Sequence, residues 1–186
     1  MAFYRRELAS EIRYHGVVQY LFYSQWQNLR RYAAKGGIRI IGDLPLFVAH
    51  HSSDVWANPQ FFALDAEGKP EKVAGVPPDY FSKTGQLWGN PQYRWDSLRQ
   101  DHYRWWRRRI ESLMDMVDLI RMDHFRGFEA YWEVPAGEKT AANGRWVKGP
   151  AEDFFLTLEY HLGDLPLIAE DLGVITPEVD ALKHRF

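Results

Sequence analysis

Apolar positions along the chain alternate between two periods, and that alternation gives the first picture of the fold. From Ser10 to Lys35, the residues Ile12, Val17, Leu21, Trp26, Leu29 and Ala33 recur at helical spacing. Ser10 suits the helix start, and Gly36 and Gly37 supply a left-handed stop. The run "IRIIGDLPLFV" is short, β-branched and nearly continuous, as in a buried strand, and it ends near Asp43. A helix is predicted over about 99–114, with Trp106, Ile110 and Leu113 on one face. "VDLIRMD" reads as a second strand ending at Asp123, and "EVPAGEKTAANGRWVKGP" as a polar excursion or hairpin. A third helix covers about 151–162. "LPLIAED" is a third strand ending at Glu170 and Asp171, and Thr176 and Pro177 open a last helix.

Helices alternating with apolar strands predict an α/β fold with a parallel sheet. Three strands are far short of an eight-stranded barrel, which takes about 250 residues; the chain therefore reads as part of a larger unit. Residues 46–98 are too long for a plain connection and are expected to be a functional loop insertion. Within them, "VPPDYFSKTGQLWGNPQYRW" shows no clear helical or strand period, yet it carries Tyr80, Phe81, Trp88, Tyr93 and Trp95. Surface loops are usually polar, so this aromatic display needs a purpose.

Composition narrows the options. The net charge of −2 gives no global attraction to nucleic acid or an anionic membrane. The arginine run from Arg104 to Arg109 is expected to be a solvated helix face. No apolar stretch reaches membrane-span length, no leader is visible in "MAFYRRELAS", and there are no cysteines, which fits a cytoplasmic protein without thiol chemistry. His50 and His51 are expected to point apart, so no metal site is predicted, and the glycines of "AAKGGIRIIGD" precede a strand instead of following one as phosphate loops do.

Chemistry enters at the strand ends. Asp43, Asp123 and Glu170 each close a predicted strand, and parallel α/β folds place their sites at that edge. Arg121 and Asp123 lie two apart and face one side, so the guanidinium is expected to lower the Asp123 pKa, as suits a nucleophile. Apolar neighbours in "LPLIAE" are expected to raise that of Glu170, as suits a general acid. Such a pair is the pattern of retaining glycoside chemistry. Aromatic rings of the 76–95 segment can stack on sugar C–H faces, while Asp79, Gln86 or Asn90 bind hydroxyls.

The stretches "GIRIIGDLPLFVAHHSSDVWANPQFF", "GVPPDYFSKTGQLWGNPQYRW", "LIRMDHFRGFEAYWEVPAGEKTAANGRW" and "LIAEDLGVITPEV" together resemble glycoside hydrolase family 77, the 4-α-glucanotransferases (amylomaltases or disproportionating enzymes). That resemblance implies an interrupted (β/α)8 TIM barrel of the α-amylase type, with residues 1–186 supplying about strands three to five. It implies Asp123 as nucleophile, Glu170 as acid/base and Arg121 as support for the nucleophile, with Asp43 closing strand three. Asp79, Tyr80, Phe81, Gln86 and Trp88 would contact glucan. The implied partners are maltooligosaccharides and starch- or glycogen-derived glucans, with no cofactor. A third carboxylate of the family, on strand seven, has no counterpart here, which implies that the chain alone is inactive. An α-glucan hydrolase on the same barrel and a noncatalytic glycan-binding module are the competing readings.

Overall fold

Three parallel strands form the frame on which the candidate residues sit. The computed structural model describes residues 2–186. Strands β1 (Ile41–Pro45), β4 (Leu119–Asp123) and β7 (Leu167–Ala169) pair in the order β1-β4-β7, all parallel. Each follows a helix: α2 (Ala9–Lys35) precedes β1, α5 (Arg104–Met114) precedes β4 and α6 (Ala151–Leu162) precedes β7. The chain closes with α7 (Pro177–Arg185), which begins with proline at a position where no amide donor is needed. A mixed α/β fold with parallel strands and crossover helices is what the periodicities predict.

The 46–98 segment differs from expectation. It is not a loop: it contains α3 (Ser53–Ala57), β2 (Lys72–Val76), β3 (Gln86–Pro91) and most of α4 (Trp95–Gln100). Strands β2 and β3 join β5 (Ala130–Pro135) and β6 (Arg145–Lys148) in an antiparallel sheet of order β3-β2-β5-β6. The predicted 133–150 hairpin is thus one half of a sheet whose other half comes from residues some sixty positions earlier. Long-range pairing of this kind leaves no mark in a local window. At the β2–β3 turn, Gly85 has φ +67°, and a Cβ there would collide with the Val76 carbonyl, so only glycine closes the turn.

The expected 99–114 helix is broken. α4 ends at Gln100, and His102 and Tyr103 take left-handed φ values of 48° and 49° before α5 begins. The break buries the Tyr103 ring and brings its hydroxyl to donate to Asp153 Oδ2 at 2.6 Å. Around it the aromatic residues gather into the core. Tyr93, Trp95, Trp105, Trp106, Phe128 and Phe154 are all buried and share ring contacts of about 5–6 Å. Tyr93 and Trp95 are therefore core residues, not displayed ones. Arginines of α5 depart from the solvated face that was expected: Arg109 lies half-buried with its guanidinium 4.9 Å from the Trp106 ring centroid, a cation–π contact, while Arg104 and Arg108 are exposed.

Helix α2 also differs from its pattern. Ala33 is its one buried residue, while Ile12, Val17, Leu21 and Leu29 are exposed. Its C-terminal part is docked by polar contacts: Trp26 Nε1 donates to the Met116 carbonyl at 2.7 Å, and Arg30 reaches the Val117 carbonyl and Asp118. Asp118 Oδ2 in turn accepts from the Ile40 amide at 2.7 Å, which fixes the entry to β1.

Candidate active site

Register places the candidate carboxylates side by side. Asp43 pairs with Arg121, and Pro45 with Asp123, across β1 and β4. Met122 pairs with Ala169 across β4 and β7, so Glu170 leaves its strand next to Asp123 and donates its amide to the Met122 carbonyl. Along β4, Ile120 and Met122 point into the core, which leaves Arg121 and Asp123 on the other face. The three acids thus converge from three strands.

Arg121 joins them. Its Nε and Nη2 bind the two oxygens of Asp43 at 2.6 and 2.9 Å, its Nη2 also reaches Asp123 Oδ1 at 3.0 Å, and its Nη1 donates to Glu170 Oε1 at 2.9 Å. A planar guanidinium, with five N–H donors fixed in a fork, can serve three carboxylates at once in a fixed geometry. Glu170 Oε2 accepts a further bond from the backbone amide of His124 at 2.6 Å. The apolar setting expected for Glu170 is not found: its neighbours along the strand are apolar, but its carboxyl lies against these two donors.

The expectation for Asp123 is overturned. Its pKa is raised, first by burial and then by the nearby Glu170 charge, with Arg121 opposing. Arg121 spends its two-pronged grip on Asp43, whose pKa it lowers, and gives Asp123 a single shared hydrogen. Asp171, the other acid at the strand end with Glu170, is not bonded to Arg121 and pairs with Lys183 at 2.7 Å.

The loop residues divide into two groups. Gln86 and Trp88 lie on one face of β3, where Trp88 Nε1 donates to Gln86 Oε1 at 3.2 Å. Trp88 reaches the carboxylate cluster through His124, whose ring it meets edge-on at 4.9 Å. Asp79 shapes the loop tip: its Oδ1 accepts from the amides of Phe81 and Ser82 at 2.9 and 2.7 Å. Beyond it, Tyr80 and Phe81 are 96% and 94% exposed, so neither belongs to a core. Their rings touch each other, T-shaped, 5.5 Å apart. A depression of about 530 Å³ lies elsewhere in the insertion, lined by His50, Trp56 and Leu64 among others. There the His50 and His51 rings approach to 4.7 Å instead of pointing apart.

His124 is the site residue that the sequence reading missed. Burial, then the Arg126 charge, pushes its pKa down to about 4. A buried neutral histidine whose folded pKa lies below its ordinary value of about 6.5 loses stability for the protein as pH falls between those two values. Replacing His124 by Asn, which does not titrate, is expected to flatten the decline in urea midpoint between pH 7 and pH 4.5; an unaltered decline would show that other groups set it.

The model of the family described as 4-alpha-glucanotransferase matches residues 1–186. The chain belongs to glycoside hydrolase family 77. This family 77 chain is 56% identical over 179 residues to the 4-alpha-glucanotransferase of Thermus thermophilus, covering 96% of the chain and 36% of the relative. It is 55% identical to that of Synechocystis, again over 96% and 36%. Among solved structures, amylomaltase from Streptococcus agalactiae in complex with acarbose matches with a TM-score of 0.94 at 46% identity, over 99% of this chain and 37% of that one. The family 77 chain thus spans a little over a third of the length of the relatives it matches, and its mixed α/β fold is that of part of an amylomaltase. No helix among the described residues is long and apolar enough to cross a membrane.

Proposed function

We propose that the protein is a retaining 4-α-glucanotransferase that moves α-1,4-glucan segments between maltooligosaccharides, and that residues 1–186 form about strands three to five of its interrupted barrel. The observation that carries this reading is that Asp123 and Glu170, from adjacent parallel strands, share one guanidinium at the strands' carboxyl edge. Paired carboxylates at that edge suit a two-step displacement. Glu170 protonates the glycosidic oxygen while Asp123 attacks the anomeric carbon, giving a covalent glycosyl-enzyme. Glu170 then takes the proton of the incoming 4-hydroxyl, and that oxygen displaces Asp123. Asp123 Oδ1 is engaged by Arg121, and no hydrogen bond to Oδ2 occurs among the described residues, which suits attack from that oxygen. Asp43 holds the other side of Arg121, and no cofactor is required. Glucans of a cytoplasmic starch- or glycogen-derived pool are the proposed substrates, and the chain by itself is proposed to be inactive.

Incubation of the intact enzyme with maltotriose tests this directly. Transfer yields a ladder of longer glucans; glucose and maltose alone would identify a hydrolase instead.

Transfer must outrun hydrolysis of the glycosyl-enzyme, so water has to be kept from the acceptor side. Tyr80 and Phe81, an almost wholly exposed T-shaped aromatic pair, and Trp88 beside the cluster suit stacking on glucose rings. Asp79 and Gln86 suit the hydroxyl edges. Substituting Tyr80 and Trp88 by Ala is expected to raise the ratio of hydrolysis to transfer by about tenfold, the scale of one or two lost stacking contacts. An unchanged product ratio would remove the loop from the acceptor side.

A further inference from the structure

We propose that His124 is the positioning residue of this site, its backbone aiming an N–H at Glu170 while its imidazole braces Trp88. This deepens the reading of Glu170 as acid/base and rests on it. β4 turns its Ile120 amide and Met122 carbonyl toward β7, and the His124 amide, next in that alternation, points to the same side. His124 adopts φ 56° and ψ 45°, a left-handed conformation unfavourable for a non-glycine residue, which turns the chain sharply just after that amide. The amide donates to Glu170 Oε2 at 2.6 Å. Such a conformation persists only where the surroundings enforce it.

The ring supplies the enforcement. It meets Trp88 edge-on at 4.9 Å and lies 6.1 Å from the Phe47 ring. On a further side is Gly127, where an added Cβ would come within 2.7 Å of His124 Cδ2, so glycine leaves the space that the imidazole fills. Its Nε2 is buried and has no hydrogen-bond partner among the described residues. A ring held mainly by packing, and kept uncharged by that burial, does not compete electrostatically with Arg121 for Glu170. Trp88 in turn carries Gln86 on its indole N–H. One residue therefore couples the acid, through its main chain, to the sugar-facing wall, through its side chain.

The two halves separate kinetically. In the intact enzyme, with maltotriose as substrate, His124→Val is expected to lose about 100-fold in kcat, because a β-branched residue does not hold the left-handed conformation and Glu170 loses its alignment. His124→Gly and His124→Asn tolerate that conformation. They are expected to keep kcat within about threefold while KM rises about tenfold, since only the brace under Trp88 is gone. Wild-type kcat in His124→Val, or a kcat loss in His124→Gly as large as in His124→Val, overturns the proposal. If His124→Val does not fold, His124→Gly decides alone: retained kcat with raised KM supports the proposal, and lost kcat overturns it. Glu170→Gln, assayed in parallel, keeps the two levels apart. Its inactivity alongside a fully active His124→Val defeats only the positioning role, whereas full activity of Glu170→Gln defeats the acid/base reading and this inference with it.

Discussion

Asp123→Asn is expected to abolish glucan transfer, by about 10⁴-fold or more in kcat, because both oxygens of Asp43 are held by Arg121 and Glu170 is occupied as the acid, which leaves no carboxylate to form the glycosyl ester. The same substitution is expected to leave the protein at least as stable at pH 7. The cause is the direction of the Asp123 shift. Its folded pKa is raised, chiefly by burial and by Glu170, so its protonated form is the one the fold favours. That contribution is complete at low pH and is lost as pH rises through the folded value, which leaves a charge the fold tolerates poorly at pH 7. Asparagine carries no such charge. A melting temperature measured beside kcat for the pure enzyme checks both halves, and turnover within tenfold of wild type would defeat the assignment of the nucleophile. Function at this position is thus expected to be held against stability, the usual relation at a site whose groups are arranged for reaction.

Arg121→Met carries the second large effect. Arg121 is the only cation bonded to Asp43, Asp123 and Glu170 among the described residues. Methionine keeps much of the stem but leaves three carboxylates facing one another without a counter-charge. A fall of about 10² to 10³ in kcat is expected, comparable to removing a preorganised electrostatic partner in other sites. Arg121→Lys should recover little, because an ammonium is a point charge that cannot span three acceptors in one plane. The stability cost has a definite pH signature. Arg121 lowers the folded pKa of Asp43, so this contribution is present above the ordinary aspartate value of about 3.9 and disappears as pH falls through the folded value. The stability gap between wild type and Arg121→Met should therefore be wider at pH 7 than at pH 3. A gap independent of pH, or kcat within threefold of wild type, would mean that the clamp is not what organises the carboxylates.

The fold class was legible because helix and strand periods are local properties of a sequence. Ile120 and Met122 alternate with Arg121 and Asp123, so the face of β4 that carries the acid is set by the sequence pattern alone. The convergence of Asp43, Asp123 and Glu170 followed from parallel strands that end in register. The fate of the aromatic residues was not legible. Tyr93 and Tyr80 occur in the same irregular stretch, yet one is buried beneath α5 and the other stands in solvent. Which of them turns inward depends on how β3 pairs with β2 and β2 in turn with a hairpin some sixty residues later, and no window on the sequence contains that pairing.

The charge states show the same division. Sequence placed Arg121 two residues from Asp123 and so suggested a lowered pKa, but spacing along a strand does not say whom a guanidinium prefers. That was decided across strands, where Asp43 takes both prongs of Arg121 and Asp123 shares one hydrogen. His124 makes the point at a single residue: its identity and its place after Asp123 are given by the sequence, but its left-handed turn and its bond to Glu170 are not. The order of residues by itself determined the α/β alternation, the strand-end acids and the family. Only tertiary structure decided the electrostatics, because Coulomb and desolvation energies depend on through-space distance and burial, quantities that the chain acquires when its strands pair.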